Sequence, residues 1–167
     1  MSIDRKPTTA ALNLSADRGE RIGNPKGAPE GMAIEYLLPG GLKDDLLYLE
    51  GPWRRFSDRL TFSGPGGGAI YIRYTAKEVC LVMSSEEEAV IWINHDRRKM
   101  RREELGPDGM IDDKGRAWVR VTAHRNYRLI RNPGAEQHEL RLFTQARGLS
   151  LYAFTFDSGD SGTDSPQ

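Results

Sequence analysis

Between residues 33 and 156 the apolar positions recur at every second residue, in short runs. Examples are "AIYIRYTA" (69–76), "AVIWIN" (89–94), "AWVRVTA" (117–123) and "LSLYAFTF" (149–156). A period of two in segments rich in β-branched and aromatic residues is typical of β-strands that bury one face. The pattern predicts about ten short strands, with no strong helix between them.

Turn-forming segments separate these runs. They include "PGG" (39–41), "SGPGGG" (63–68), "GPDG" (106–109) and "NPGAEQ" (132–137), in which glycine and proline supply the backbone angles that chain reversals need. Short strands joined by such turns favour an all-β fold. The specific prediction is an antiparallel β-sandwich of jelly-roll type.

The last apolar run predicts a strand that closes the core. Tyr152, Phe154 and Phe156 stand at alternating positions, which would place three rings on one face of that strand. Trp53, in the segment "EGPWRRF", is also predicted to pack in the core or against a neighbouring domain.

The length of 167 residues favours one domain with tails. Residues 1–32 are rich in glycine, proline and charge, and predict a poorly structured lead-in with one helical turn near Ala10 to Leu14. Residues 33–157 would form the β-sandwich domain. Residues 158–167 are polar and low in complexity, which predicts a disordered tail.

Charge and cysteine content exclude several classes of protein. Lys plus Arg and Asp plus Glu number 24 each, so no global positive field attracts nucleic acid or an anionic membrane. A single cysteine, Cys80, excludes a disulfide scaffold and a Cys-x-x-Cys redox pair. The absence of an apolar leader predicts a cytoplasmic location for the chain as it stands, or an extracytoplasmic one if it is part of a longer precursor.

Two tryptophans and an arginine are candidates for ligand binding. If the aliphatic residues of "AVIWIN" and "AWVRVTA" face the core, then Trp92, Trp118 and Arg120 must face away from it. Exposed aromatic faces stack on the apolar faces of sugars. The alternative is that loops cover both rings, since large aromatic residues are mostly buried.

The run "HDRRKMRREE" (95–104) has five basic residues between positions 97 and 102. Arginine side chains bind phosphate or carboxylate groups with two parallel hydrogen bonds, so an anion-binding patch is one interpretation. A solvated hairpin with local ion pairs is the more common outcome. The run lacks the interleaved aromatic residues that bind single-stranded nucleic acid, and its role stays open.

The spacing of the candidate residues indicates neither a metal site nor a catalytic site. The separations between His95, His124 and His138 match no metal-ligand pattern, and "DGMIDDKG" (108–115) lacks the spacing of a calcium loop. No Ser/His/Asp or Cys/His arrangement stands out from chance. We therefore expect no metal, no cofactor and no catalytic residue.

Several segments together resemble a known family. They run from "YLLPGGLKDDLLYLEGPW" (36–53) through "GGAIYIRYTAKEVCLVM" (67–83), "IWIN" (91–94) and "NYRLI" (126–130) to "LYAFTF" (151–156). This series is similar to the C-terminal domain of DipZ-type thioredoxin-like proteins. The resemblance implies a β-sandwich like that of carbohydrate-binding modules, placed after a thioredoxin-fold domain.

The resemblance extends into the lead-in. The segment "TAALNLSADRGERI" is similar to the family linker at Thr9, Leu14, Arg18, Glu20 and Arg21, but it lacks the aromatic residue that the linker often carries. The thioredoxin domain with its paired cysteines is absent from this chain. The chain is then either a free-standing descendant of the appended module or the partner of another chain that carries the redox part.

These observations predict a non-catalytic accessory module that binds a glycan or a protein surface, with a thioredoxin-fold protein as one candidate partner. Neither nucleic acid nor a membrane is an expected partner, and the oligomeric state is left open. The alternative is a structural protein that self-associates through a strand edge or the tryptophan face. An enzyme whose site leaves no sequence signature is the third interpretation.

Overall fold

The computed structural model describes residues 7–16, 21–25 and 28–159. The strands are β1 (Leu12–Asn13), β2 (Ala33–Tyr36), β3 (Leu47–Arg55), β4 (Leu60–Phe62), β5 (Gly68–Ser84), β6 (Ala89–His95), β7 (Met110–Ile111), β8 (Ala117–Val121), β9 (Arg125–Thr144) and β10 (Ser150–Asp157). A single 3-10 turn, Arg102–Glu104, lies between β6 and β7. The predicted all-β fold is confirmed.

The strands pair antiparallel and wrap into a closed circuit. In this circuit β3 pairs with β4, β4 with β10, β10 with β5, and β5 with β3 again. Strands β9, β6, β8 and β7 then extend the sheet from the other edge of β5. The circuit gives the described part of the chain a barrel-like closure around one core.

Two long strands, β5 and β9, connect the closed circuit to strands β6, β8 and β7. β5 has 17 residues and β9 has 20, and they pair with each other along most of their length. Their register shifts between Ala76 and Glu78 and again between Val79 and Cys80. Such bulges bend a strand, which lets the first part of β5 pair with β3 and the second part with β10.

The core is formed by the inward side chains of these strands. Trp53 is 1% exposed, its indole N–H donates to the Glu50 carbonyl at 2.9 Å, and its ring meets Phe62 edge-on at 5.3 Å between centroids. Phe154 of β10 is fully buried, and Phe156 is partly buried against the same cluster. The ring centroids of Phe154 and Phe156 lie 5.5 Å apart.

The prediction that three rings share one face of β10 is wrong for Tyr152. The pairing of β10 with β5 shifts register between Leu151 and Ala153, so one extra residue interrupts the alternation. Leu151 and Phe154 therefore both point inward. Tyr152 turns to the other face, where its hydroxyl lies 3.0 Å from that of Ser84.

The lead-in also differs from its prediction. The helical turn expected near Ala10 to Leu14 is wrong, because β1 pairs with β10 and the Leu14 N–H donates to the Tyr152 carbonyl at 2.8 Å. Leu12 and Leu14 are buried in the core. Their side chains bury more apolar surface from an extended backbone, which outweighs weak local helix preference.

One buried arginine fixes this segment to β3. The Arg55 guanidinium donates to the carbonyl groups of Leu14, Ser15 and Ala28, at 2.9 to 3.2 Å. Two of the residues that resemble the family linker, Arg18 and Glu20, lie outside the described residues. Residues 160–167 of the predicted tail also lie outside them. Among the described residues, no helix is long and apolar enough to cross a membrane.

Leu14 and Leu37 offer a matched test of the packed lead-in, because Leu14 is 0% and Leu37 79% exposed. Leu14→Ala should lower the free energy of unfolding by about 2–5 kcal/mol, whereas Leu37→Ala should change it by less than about 0.5 kcal/mol. Urea unfolding followed by tryptophan emission measures both. Equal, small losses in the two variants would show that the lead-in does not contribute to the core.

Candidate functional site

A row of large side chains crosses the outer face of β9, β6, β8 and β7. The strand register places Phe143 opposite Trp92, Trp92 opposite Trp118, and Trp118 opposite Met110. Side chains directly opposite each other on neighbouring strands are in contact range. We call these four residues, Phe143, Trp92, Trp118 and Met110, the aromatic row.

The row points outward because the residues between its members point inward. The inward side chains are those of Ile91, Ile93, Val119 and Val121, all of them buried. Trp92 is 38% and Met110 46% exposed, and Trp118 and Phe143 are half-buried. The centroids of the two indole rings lie 5.5 Å apart with their planes at 55°. The row is therefore a ledge of aromatic surface in contact with solvent.

Arg120 lies on the same outer face, two residues after Trp118. Its side chain is exposed and forms an ion pair with Glu88. The structure therefore brings together all three residues that the sequence predicted for ligand binding. Unlike the two tryptophans, Arg120 already has a partner, because its guanidinium is paired with the Glu88 carboxylate. Their role in binding stays a prediction.

A cavity of about 590 Å³ opens beside the row. Its walls are the loop 38–42 and the outward side chains of Tyr71, Arg73, Asn94, Arg97, Glu139 and Arg141. Arg141 is held in place there, because its Nε donates to the Tyr71 hydroxyl at 2.8 Å and that hydroxyl donates to Glu50 at 2.9 Å. The guanidinium lies 5.2 Å from the centre of the Phe143 ring, so the cavity adjoins the row.

A second cavity, of about 470 Å³, shares Asn94 and Arg97 with the first. It extends along Trp92 to the side chains of Lys99, Lys114 and Arg116. The two cavities and the aromatic row form one continuous surface, which we call the groove. The sequence did not predict these cavities, because their walls come from five separate segments of the chain.

The basic run forms one wall of the groove as a tight turn after β6. Asp96 and Arg97 both have positive φ angles, 59° and 58°, in the left-handed region that favours glycine and asparagine. The Asp96 carboxylate stabilises this turn by accepting the Glu139 backbone N–H at 2.8 Å. Its other oxygen lies 2.6 Å from Nδ1 of His138. Both contacts tie the turn to β9.

Beneath the turn lies a buried histidine cluster, formed by Tyr74, His95, Asp96, Glu104 and His138. His95 is 0% exposed, with Nδ1 at 2.7 Å from Glu104 Oε1 and Nε2 at 2.7 Å from the Tyr74 hydroxyl. The rings of His95 and His138 stack with centroids 4.7 Å apart. The cluster joins β5, β6, β9 and the 3-10 turn.

Burial and hydrogen bonding set the charges in this cluster. Burial lowers the pKa of His95, although the bond to Glu104 opposes this effect, so the ring is neutral at neutral pH. Burial would raise the pKa of Glu104, but hydrogen bonds from Arg98, His95 and the Arg101 backbone outweigh it and bring the value to about 2. The Arg98 guanidinium reaches both oxygens of Glu104, at 2.7 and 3.2 Å. A charged carboxylate therefore fixes the basic turn from below.

Three members of the cluster have the residue types of a metal site. His95, Asp96 and His138 offer ligand atoms within 4.8 Å of one another. However, both ring nitrogens of His95 already form hydrogen bonds, and an Arg98 nitrogen lies 3.8 Å from Asp96 Oδ2. A cation would have to break these bonds beside an existing positive charge. The geometry therefore favours a structural network over a metal centre.

His95 and His138, whose separation in sequence matches no metal-ligand pattern, lie side by side in the fold. Sequence spacing missed the pair because β6 and β9 bring them together across the sheet. One signal was available. His95 continues the inward alternation of Ile91 and Ile93, so a buried histidine in need of polar partners could have been expected there.

Comparison with known proteins identifies a family and solved structures of similar fold. A family model described as "Thioredoxin like C-terminal domain" matches residues 9–157. The solved structure of a family two carbohydrate esterase from Cellvibrio japonicus has a TM-score of 0.50 and 12% identity, covering 89% of this chain and 33% of that chain. The chain thus spans about a third of that enzyme, and the likeness concerns the fold alone. No curated protein matches the chain.

The histidine cluster predicts a pH dependence of stability. The folded pKa of His95 lies below its unfolded value of about 6.5, so the unfolded chain binds the proton first and stability falls as pH drops below about 6.5. His95→Gln should lower the free energy of unfolding by about 1–3 kcal/mol at pH 7, because it leaves buried polar groups without partners. The stability of this variant should fall less steeply than that of the wild type as the pH is lowered. Urea titrations at a series of pH values measure both effects.

His124→Gln is the matched control, since His124 is an exposed histidine on the loop after β8. This variant should keep the wild-type loss of stability between pH 7 and about pH 5. If His95→Gln and wild type show the same slope with pH, the buried ring is not the source of the dependence.

Proposed function

Since this chain belongs to the family of thioredoxin-like C-terminal domains, we propose that it is a non-catalytic accessory module that recognises a glycan through the groove. The finer placement with DipZ-type proteins rests on the segments between residues 36 and 156 that resemble their C-terminal domain. In that setting a thioredoxin-fold protein carries the redox chemistry, and this chain supplies recognition.

The observation that carries the proposal is the aromatic row beside a polar cavity. Trp92 and Trp118 present ring surface to solvent from adjacent strands. The less polar face of a pyranose ring stacks on such surfaces, while hydroxyl groups need donors and acceptors at the edge. Asn94, Glu139 and Arg141 supply both kinds of group within the same groove.

The strand pairing around the aromatic row holds its side chains in place before a ligand binds. β6 is paired on both sides, with β8 and β9, so Trp92 is placed by a sheet interior and not by a loop. The Phe143 ring packs closely against Gly67, where a Cβ atom would come within 2.6 Å of it. A prearranged ledge loses little conformational entropy when a flat ligand binds.

A second candidate, recognition of a protein surface, is favoured by a different feature. Met32 and Leu37 are 67% and 79% exposed, and they flank β2. In the described part of the chain, β2 pairs with β3 and with no other strand. An edge strand with apolar residues at both ends can dock a partner protein or a second copy of this chain.

The glycan proposal predicts that the two tryptophans contribute separately. Trp92→Ala and Trp118→Ala should each weaken glycan binding by about three- to tenfold, because each removes one stacking surface. The measurement is quenching of tryptophan emission across an array of soluble oligosaccharides. Met32→Ala, an exposed residue before β2 that lines neither cavity, should bind as the wild type does. Unchanged affinity in both tryptophan variants would reject the aromatic ledge.

Sedimentation velocity distinguishes self-association through the β2 edge from docking of a different protein. If this edge pairs with a second copy, sedimentation velocity at rising concentration should show a dimer that Leu37→Glu abolishes, because the charge would be buried in the interface. Leu46→Gln, a half-buried leucine before β3, serves as the control that should dimerise normally. A strict monomer at high concentration would rule out self-association and leave docking of a different protein.

A further inference from the structure

The groove concentrates positive charge in a chain whose net charge is zero. Its cationic side chains are Arg73, Arg97, Arg98, Lys99, Lys114, Arg116 and Arg141. One carboxylate, that of Glu139, lines the same walls. The charge balance of the whole chain therefore conceals a strongly basic surface around the aromatic row.

Some of these cations are neutralised by acids at the margin. Arg97 pairs with Glu139 at 2.9 Å, Arg98 with Glu104 at 2.7 Å, and Arg116 with Asp112 at 2.7 Å. The ion pair of Arg73 with Asp44 is longer, 3.5 Å.

Three cations are left without such a pair. No carboxylate among the described residues forms an ion pair with Lys99, Lys114 or Arg141. These side chains therefore supply the positive charge that a ligand can use.

The unpaired cations lie in two cavities on the same side of the ledge, because Asn94 and Arg141 pair one step beyond Trp92 and Phe143. Lys99 and Lys114 line the cavity that borders Trp92, and the Lys99 stem packs over Gly115, which joins the basic turn to the 112–116 hairpin. Arg141 lines the other cavity, next to Phe143. A ligand stacked on the row would thus meet positive groups at two separate points along one side.

We propose that the glycan recognised by the groove is anionic, an oligosaccharide whose sugar rings carry carboxylate groups. This inference rests on the proposed function and specifies its ligand. Sugar faces lie on Trp92 and Trp118, while carboxylates meet Arg141 in one cavity and the two lysines in the other. The planar Arg141 guanidinium, already oriented by its bond to the Tyr71 hydroxyl, suits two parallel hydrogen bonds to a carboxylate.

The distribution of charge favours this ligand over single-stranded nucleic acid. Nucleic acid carries one phosphate per nucleotide and is bound along a continuous cationic track. Here the free cations stand apart in two separate cavities, and four other arginines are occupied by acids. Separated charges fit separated carboxylates on a sugar chain.

The test compares each acidic oligosaccharide with its own uncharged form. Oligogalacturonate, glucuronate-substituted xylan and alginate oligomers are titrated by calorimetry beside their methyl-esterified or carboxyl-reduced counterparts. At least one acidic form should bind about tenfold more tightly than its neutral counterpart. This difference should shrink when the salt is raised from about 0.05 M to about 0.5 M.

Each other outcome has a defined meaning. Equal binding of charged and uncharged forms overturns the anionic ligand but leaves the glycan proposal intact. Binding of a sulfated oligosaccharide alone overturns the carboxylate assignment. Tighter binding of single-stranded DNA overturns it in favour of nucleic acid. Binding of none of the charged forms overturns the inference, and the neutral array with the tryptophan variants then decides whether glycan recognition fails as well.

Charge variants separate electrostatics from stacking. Lys99→Gln, Lys114→Gln and Arg141→Gln should each lower the ratio of acidic to neutral affinity by about two- to fivefold. Trp92→Ala should weaken both forms and keep the ratio. Arg131→Gln, an exposed cation on the part of β9 outside the groove, is the control that should keep both affinities. A ratio unchanged in all three charge variants would contradict the proposal.

Discussion

The long antiparallel pairing of β5 with β9 is the constraint on which the rest of the structure depends. Along its second half β9 alternates strictly, burying Leu140, Leu142 and Thr144 while turning Glu139, Arg141 and Phe143 outward. β6 takes its register from β9, and β8 takes its register from β6. The alignment of the aromatic row is therefore a consequence of the same pairing that fills the core, and a shift of one residue would exchange the two faces.

The buried histidine cluster performs a complementary task at the end of β6. A turn with two non-glycine residues at positive φ is costly, and the bonds of Asp96 and Glu104 offset that cost. The cluster is polar yet highly connected, which gives it a single preferred arrangement and makes its disruption expensive. The basic turn thus acquires a defined position over β9, although its own side chains are largely exposed.

Alternation along the chain was sufficient to predict the strands and the outward direction of Trp92 and Trp118, because both lie in strands that are regular throughout. It failed at Tyr152, where the extra residue in β10 is dictated by pairing with β5 and leaves no local signature. The helical turn predicted near Leu12 and Leu14 was wrong for another reason, because the burial of these residues depends on β10 and Arg55, more than 40 positions away. The groove itself required the fold, since its walls are separate turns and strands that meet only after the sheet closes.

One consequence of the β1–β10 pairing concerns how this unit is joined to its surroundings. The first described strand lies antiparallel to the last, with Leu12 beside Phe154, so the incoming and outgoing backbone share one corner of the molecule. Two attachments at one corner behave mechanically as a single hinge. A body fused to either end would swing about that hinge, and a short added loop could join the two ends without disturbing any strand pairing.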